Sequence, residues 1–262
     1  VAAVRIATWN VNSVTARLPR LLQWLESRRP DVACLQELKV TEDAFPHLPV
    51  AALGYDTAIH ADGRWNGVAV LSRVGLDEVT RGLDGEPGFP DPECRAVAAT
   101  CAGVRIRSVY VPNGRTPDDP HYAYKLAWLH ALRGTLAAEL ERFAASVVMG
   151  DFNVAPADSD VWDPAAFVGS THVTGPERAA VAAIRDLGLV DVVPRPGKGP
   201  NPFTYWDYRA GAFHQDMGMR IDHVYASPPV AARVTDAWVD RETRKGKGPS
   251  DHAPVVVDLS DA

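Results

Sequence analysis

The sequence predicts one α+β domain in which two β-sheets pack face to face with helices on the outside. Three observations carry that prediction. Short apolar runs of strand length recur from one end of the chain to the other. Stretches with leucines at helical spacing are inserted after some of them. No Pro/Ser linker and no short-period repeat divides the 262 residues. Mixed strands and helices without a break fit layers around a shared core, so residues 1–262 are read as a single domain.

The elements follow in order. Val4 to Val11 alternates apolar and polar around Trp9-Asn10 and reads as a strand. Leu18, Leu21, Leu22 and Leu25 share one helical face, and Pro30 ends that helix. Val32 to Leu38 is a buried strand ending near Gln36-Glu37. Gly67 to Ser72 and Val104 to Val111 are two more strands, with a Gly/Pro-rich loop at Gly82 to Pro92 between them. Leu129, Leu132, Leu136, Leu140 and Phe143 form the face of a long helix. Ser146 to Asn153 is a strand with its exit loop. Thr174 and Glu177 are spaced as a capping box before Val181, Ile184 and Leu187. Ile221 to Ala226 and Pro254 to Leu259 close the series.

Composition removes several classes. Apolar residues make up 46% and charged residues 23%, the balance of a folded chain. No apolar run reaches the roughly 20 residues of a membrane helix, so no membrane is expected. The first residues enter a strand pattern rather than a leader peptide. The three cysteines include no CxxC pair, which disfavours zinc and a disulfide framework and fits a reducing cytoplasm. A net charge of −6 argues against DNA binding by bulk charge alone. The cluster Arg241, Arg244, Lys245, Lys247 reads best as a solvated loop.

Chemistry is indicated by the position of acids, amides and histidines at strand ends: Asn10, Glu37, Asp151, Asn153, Asp222, Asp251 and His252. A carboxylate ending a buried strand is held rigidly, and a few such oxygens are what a hard cation such as Mg²⁺ requires. Gly150-Asp151-Phe152-Asn153 reads either as a tight turn or as a rigid Asp-x-Asn sharing a water. His252, beside Asp251 and at a strand start, is placed to be fixed in one tautomer, with Asp222 as its natural partner. No GxSxG elbow is present, so water is the expected nucleophile. Phe203 to Tyr208 crowds four aromatics, which reads as core or as the wall of a pocket for an extruded nucleotide.

Thr8-Trp9-Asn10-Val11-Asn12, Leu35-Gln36-Glu37-Leu38-Lys39, Asn66-Gly67-Val68-Ala69, Val109-Tyr110-Val111-Pro112-Asn113-Gly114, Gly150-Asp151-Phe152-Asn153, Thr204-Tyr205-Trp206-Asp207-Tyr208, Arg220-Ile221-Asp222 and Ser250-Asp251-His252-Ala253-Pro254 occur in that order. Together they resemble the exonuclease III family of abasic-site endonucleases, within the deoxyribonuclease I-like superfamily. GD-x-N and SDH-x-P are shared across the superfamily, while YVPNG and TYWDY…RID are specific to the abasic-site branch. The chain departs from the family pattern at Asn12, Leu38 and Met219.

The resemblance implies a four-layer α/β sandwich with its site at one end of two packed sheets. It implies Glu37 as main metal ligand, Asn10 orienting it or touching the metal, and Asp251 as a second acid near the metal. Asp151 would align or deprotonate water beside Asn153. His252, held by Asp222, would contact the scissile phosphate, and Tyr110 and Asn113 would contact the phosphate or the developing charge. Tyr205, Trp206, Ile221 and Met219 would line the pocket, with Arg220 behind it. The implied reaction is Mg²⁺-dependent cleavage of the phosphodiester 5′ to abasic sites, with Mn²⁺ as a substitute. Removal of 3′ blocking groups and 3′→5′ exonuclease activity would share the site. The implied partner is double-stranded DNA carrying abasic sites or blocked 3′ ends, with the protein at the nucleoid when it acts. A cousin acting on inositol phosphates, sphingolipids or RNA, and a dead DNA-binding module, are the alternatives. No further interface is legible, so a monomer is expected. Arg115 and Arg209 read equally as residues inserted into the duplex and as exposed loop residues.

Overall fold

The computed structural model describes residues 3–83 and 93–261. The loop expected at Gly82 to Pro92 lies outside the described residues from 84 onward.

The elements are β1 (Val4–Asn10), α1 (Val14–Arg28), β2 (Val32–Gln36), α2 (His47–Ala52), β3 (Asp56–His60), β4 (Val68–Ser72), β5 (Asp77–Arg81), β6 (Ala96–Cys101), β7 (Val104–Tyr110), α3 (Pro120–Arg142), β8 (Ser146–Asp151), α4 (Gly175–Arg185), β9 (Val190–Asp191), α5 (Ala212–Gln215), β10 (Asp222–Ala226), α6 (Pro228–Ala231), β11 (Val234–Val239) and β12 (Val255–Leu259). They form two six-stranded sheets, ordered β11-β12-β1-β2-β4-β3 and β5-β6-β7-β8-β10-β9. Both are mixed: β1–β2 and β7–β8 are parallel, and the other pairs of named strands antiparallel.

Three apolar clusters make the four layers. Ile6, Val32 and Val70 meet Ile106, Val147, Met149 and Val224 between the sheets. Leu21, Trp24 and Leu25 of α1 cover the outer face of the first sheet at Ala7, Trp9 and Leu35. Trp128, Leu129 and Leu132 of α3, with Val181 and Ile184 of α4, cover the second at Val109, Val148 and Tyr225. The two-sheet sandwich with outer helices is therefore the observed architecture.

Helix ends obey local chemistry. Ser13 Oγ caps α1 by accepting from Ala16 N at 3.3 Å, so α1 begins four residues before the first leucine of the expected stripe. Asp119 caps α3 from His121 N at 2.8 Å with Pro120 in the first turn. The Thr174–Glu177 capping box forms as expected. β3, β5, β6, β9 and β11 escape the sequence reading. In β6 the run Ala96-Val97-Ala98-Ala99 carries helix formers, and strand pairing on both sides overrides that weak preference.

Candidate active site

Side chains alternate along a strand, and five strands carry the same pattern into the gap between the sheets. Ile6-Thr8-Asn10, Val32-Cys34-Gln36, Ile106-Ser108-Tyr110 and Val147-Met149-Asp151 each run from apolar to polar toward one end of the sandwich. Antiparallel β10 begins at that end with Asp222 and continues through Val224 to Ala226. Register aligns them: Tyr110 is paired with Asp151, and Asp151 with Asp222, while Asn10 is paired with Gln36 just before Glu37.

The two rows join across the gap. Asn10 Nδ2 donates to Glu37 Oε1 at 2.7 Å and to Asp151 Oδ2 at 2.9 Å. His252 Nδ1 lies 2.8 Å from Asp222 Oδ2, and its Nε2 lies 3.7 Å from Asp151 Oδ2. Thr204 Oγ1 donates to the same Asp222 oxygen at 2.6 Å. Asn153, in the left-handed region at φ 51, donates its N–H to Asp151 Oδ1 at 2.9 Å. Its Oδ1 accepts from Asn113 Nδ2 at 3.3 Å.

Electrostatics follow from burial and neighbours. Burial pushes the Asp151 carboxyl well up, and Asp222 and Glu37 add to this while His252 opposes it. Burial opposes charge on His252, yet Asp222 and Asp151 outweigh it and raise the imidazole to about 10. Burial would also raise Glu37, but Lys39 and Asn10 hold it below its usual range. Lys39 Nζ sits 2.9 Å from Glu37 Oε2 and 2.6 Å from Asn12 Oδ1. Burial and the charges of Glu37 and Asp151 keep the Tyr110 phenol neutral, a hydrogen-bond donor at ordinary pH.

One donor atom each from Glu37, Asp151 and His252 lies within 4.8 Å of the others. Two carboxylates at this separation fit a hard divalent cation, whereas an imidazole already committed to Asp222 fits a hydrogen-bond donor better. Asp251 stands outside that cluster; its Oδ1 accepts from Asn12 Nδ2 at 3.0 Å. The amide nitrogen of Asn10 faces both carboxylates and its Oδ1 accepts from Asn12 N, so it orients these groups.

A cavity of about 570 Å³ adjoins the cluster, lined by Tyr205, Met219, Met217, His172, Trp162 and Phe167 among others. The Tyr205 ring lies 5.0 Å from the His252 ring, which places the cavity beside the cluster. Trp206, expected in this wall, is only 1% exposed. It is core instead, packed against Phe213 with its Nε1 donating to Asp216. Ile221 is buried in a small cluster with Met219 and is not part of the wall. Arg220 is sequestered by Asp160 at 2.7 Å and Asp191 at 3.0 Å, and thus holds the loop behind the cavity rather than reaching into it.

The basic cluster is only half solvated. Lys245 and Lys247 are exposed, but Arg244 is buried and stacks 4.9 Å from the Phe213 ring centre, and Arg241 lies 3.9 Å from it. Arg115 and Arg209 are exposed and pair with Asp119 and Asp207. His172, Trp162 and Phe167 were not legible as wall residues, because they come from a region between β8 and α4 without periodic pattern. Cys34, Cys94 and Cys101 are buried, and none is in a disulfide. No helix of the described residues is long and apolar enough to cross a membrane.

The fold and the sequence are shared with known proteins. The model of the Endonuclease/Exonuclease/phosphatase family matches residues 7–252. Exodeoxyribonuclease III of Haemophilus influenzae is 29% identical, over 96% of this chain and 98% of its own length. The structure of the 3′-5′ exonuclease NExo from Neisseria meningitidis is 39% identical, with a TM-score of 0.93 over 98% of this chain and 100% of its own. A second NExo structure is described as a 3′ phosphatase bound to product DNA hairpin. An AP endonuclease from Archaeoglobus fulgidus is 36% identical, with a TM-score of 0.92 over 99% of this chain and 100% of its own. The chain therefore belongs to the endonuclease/exonuclease/phosphatase family, and within it to the exonuclease III group of DNA repair hydrolases.

Proposed function

We propose that this protein hydrolyses DNA phosphate esters with Mg²⁺, cutting 5′ to abasic sites in duplex DNA and clearing blocked 3′ ends at the same site, with Mn²⁺ as a substitute ion. The observation that carries the reading is the cross-sheet cluster of Glu37, Asp151 and His252 beside a cavity walled by Tyr205 and Met219.

Each group has a task that its surroundings support. Asp151 aligns the attacking water, and the Asn153 N–H fixes one of its oxygens. His252, charged through Asp222, donates from Nε2 to a phosphate oxygen as negative charge develops. Tyr110 and Asn113 donate to the same group. A divalent cation held by Glu37 with Asp151 would polarise the phosphate and neutralise its charge. Asn10 holds those two carboxylates in place, and Asp251 adds negative charge at the rim, where it acts on His252. An abasic sugar costs less to extrude than an intact nucleotide, and the cavity offers it an apolar wall. The DNA is met by local basic groups, since the net charge is −6.

A second reading makes 3′ ends the main substrate. It is favoured by the descriptions of NExo as a 3′-5′ exonuclease and a 3′ phosphatase. The test is a labelled duplex holding one tetrahydrofuran abasic analogue, beside a duplex ending in a 3′-phosphate, each with Mg²⁺ and with EDTA. A Mg²⁺-dependent cut 5′ to the analogue supports the first reading. Loss of the 3′-phosphate with an intact analogue strand supports the second. Inertness toward both overturns the assignment.

A further inference from the structure

Lys125 on α3 is 0% exposed, and so is its partner Glu177 on α4. Its ammonium donates to Glu177 Oε1 at 2.5 Å, to the carbonyl of Asn153 at 2.6 Å and to the carbonyl of Asn113 at 3.1 Å. Glu177 in turn accepts from Thr171 Oγ1, His172 N and Thr174 N. A buried ion pair is poor evidence of a stability role, since an apolar pair of similar volume is often as stable. What an apolar pair lacks is the charged donor shared by the two carbonyls, which would keep only Thr171 Oγ1 at 2.9 Å on one and the His172 ring at 2.6 Å on the other. Those carbonyls belong to Asn113 and Asn153, in the exits of the neighbouring strands β7 and β8. Asn153 is the left-handed residue whose N–H holds Asp151 and whose side chain meets Asn113.

We propose that Lys125 is a positioning residue: it fixes the main chain of Asn113 and Asn153, and through Asn153 the orientation of Asp151 toward the attacking water. Enclosed as it is, it touches no substrate. Glu177 serves as its counter-charge and joins the loop bearing His172, a cavity-wall residue, to the same clamp. The proposal rests on the functional reading above and extends it to a residue away from the cleft.

The test is the double variant Lys125→Met/Glu177→Leu in the full chain, which removes the donor without leaving a buried charge unpaired. Melting temperature is measured beside kcat and KM on the 3′-phosphate and tetrahydrofuran duplexes. A displacement near 1 Å costs about 100-fold, so kcat is expected to fall about 100-fold, with KM within about threefold and the fold retained. If that variant melts below the assay temperature, Lys125→Gln/Glu177→Gln replaces it; it keeps amide donors, and its kcat should lie between the two. Wild-type kcat in either folded variant overturns the positioning role. Inactivity of the wild-type protein on both duplexes overturns the functional reading instead, and the two failures are thereby told apart.

Discussion

Asp222 and His252 meet 2.8 Å apart across the gap between the two sheets, both buried, with Thr204 Oγ1 donating to the same Asp222 oxygen. The contact joins the start of β10 to the residue three before β12, so it exists only when the sheets are packed. It holds the Nδ1 side of the ring against Asp222 and leaves Nε2 directed at the cleft. Asp222→Asn should keep the fold but lose the hold on the ring's orientation and the stabilisation of its charge. By analogy with other His–Asp pairs, kcat is expected to fall about 10²- to 10⁴-fold. Steady-state kinetics on the 3′-phosphate duplex check this; a folded variant within threefold of wild type would show that the pair does not act on the reaction.

Metal affinity should depend on pH through Asp151. Burial raises its folded-state carboxyl well above the unfolded value, so the ion-free protein holds this proton where an ordinary aspartate has lost it. An ion binds the carboxylate form, so binding releases the proton. Mn²⁺ affinity is expected to rise with pH, by at most about tenfold per unit, and to level off once the carboxyl ionises. The same shift lowers fold stability as pH rises through that window when no ion is present. Titration calorimetry across buffers of different ionisation enthalpy reads the proton directly. A flat affinity between pH 5.5 and 8 would count against it.

Gly150 cannot carry a side chain. Its φ is 151, and a Cβ there would stand 2.0 Å from the Val109 carbonyl on the neighbouring strand. Gly150→Ala must part β7 from β8 next to Asp151. A loss of about 3 kcal/mol is expected from such overpacking, together with loss of activity. Urea denaturation measures the first, and an unchanged midpoint would contradict the close approach.

Arg244 joins the loop carrying Asp251 and His252 to the aromatic cluster. It donates to the Ser250 carbonyl and, at 3.1 Å, to that of Trp206, and it stacks on Phe213. Arg244→Met keeps most of the apolar contact and removes the donors. Hydrogen bonds from a charged donor contribute roughly 1.5–3 kcal/mol each, so losing the two predicts a destabilisation of about 3 kcal/mol or more. Salt would shift this little, because the group is buried. Thermal melts at low and high salt check both statements.

The strand-end acids, the helical stripes of α1 and α3 and the capping box of α4 were legible in the sequence. Each depends on local physics: period-2 alternation, a 3.6-residue stripe, or a side chain bonding its own helix end. The strands β5, β6 and β11 were not, because charged, alanine-rich or edge segments become strands through their neighbours. Glu177 shows the boundary within one side chain. Its capping spacing with Thr174 is local, whereas its pairing with Lys125, 52 residues away, arises when α3 and α4 pack together. Trp206 and Tyr205 show it again. Adjacent aromatics in sequence, they part because a strand-like step turns one into the core and the other toward His252. What the sequence by itself determined was the inventory of reactive side chains and their places at strand ends. Only the tertiary structure decided which of them share a cleft, since the Asn10–Asp151 and Asp222–His252 bonds span the gap between two sheets and no local rule sets their packing.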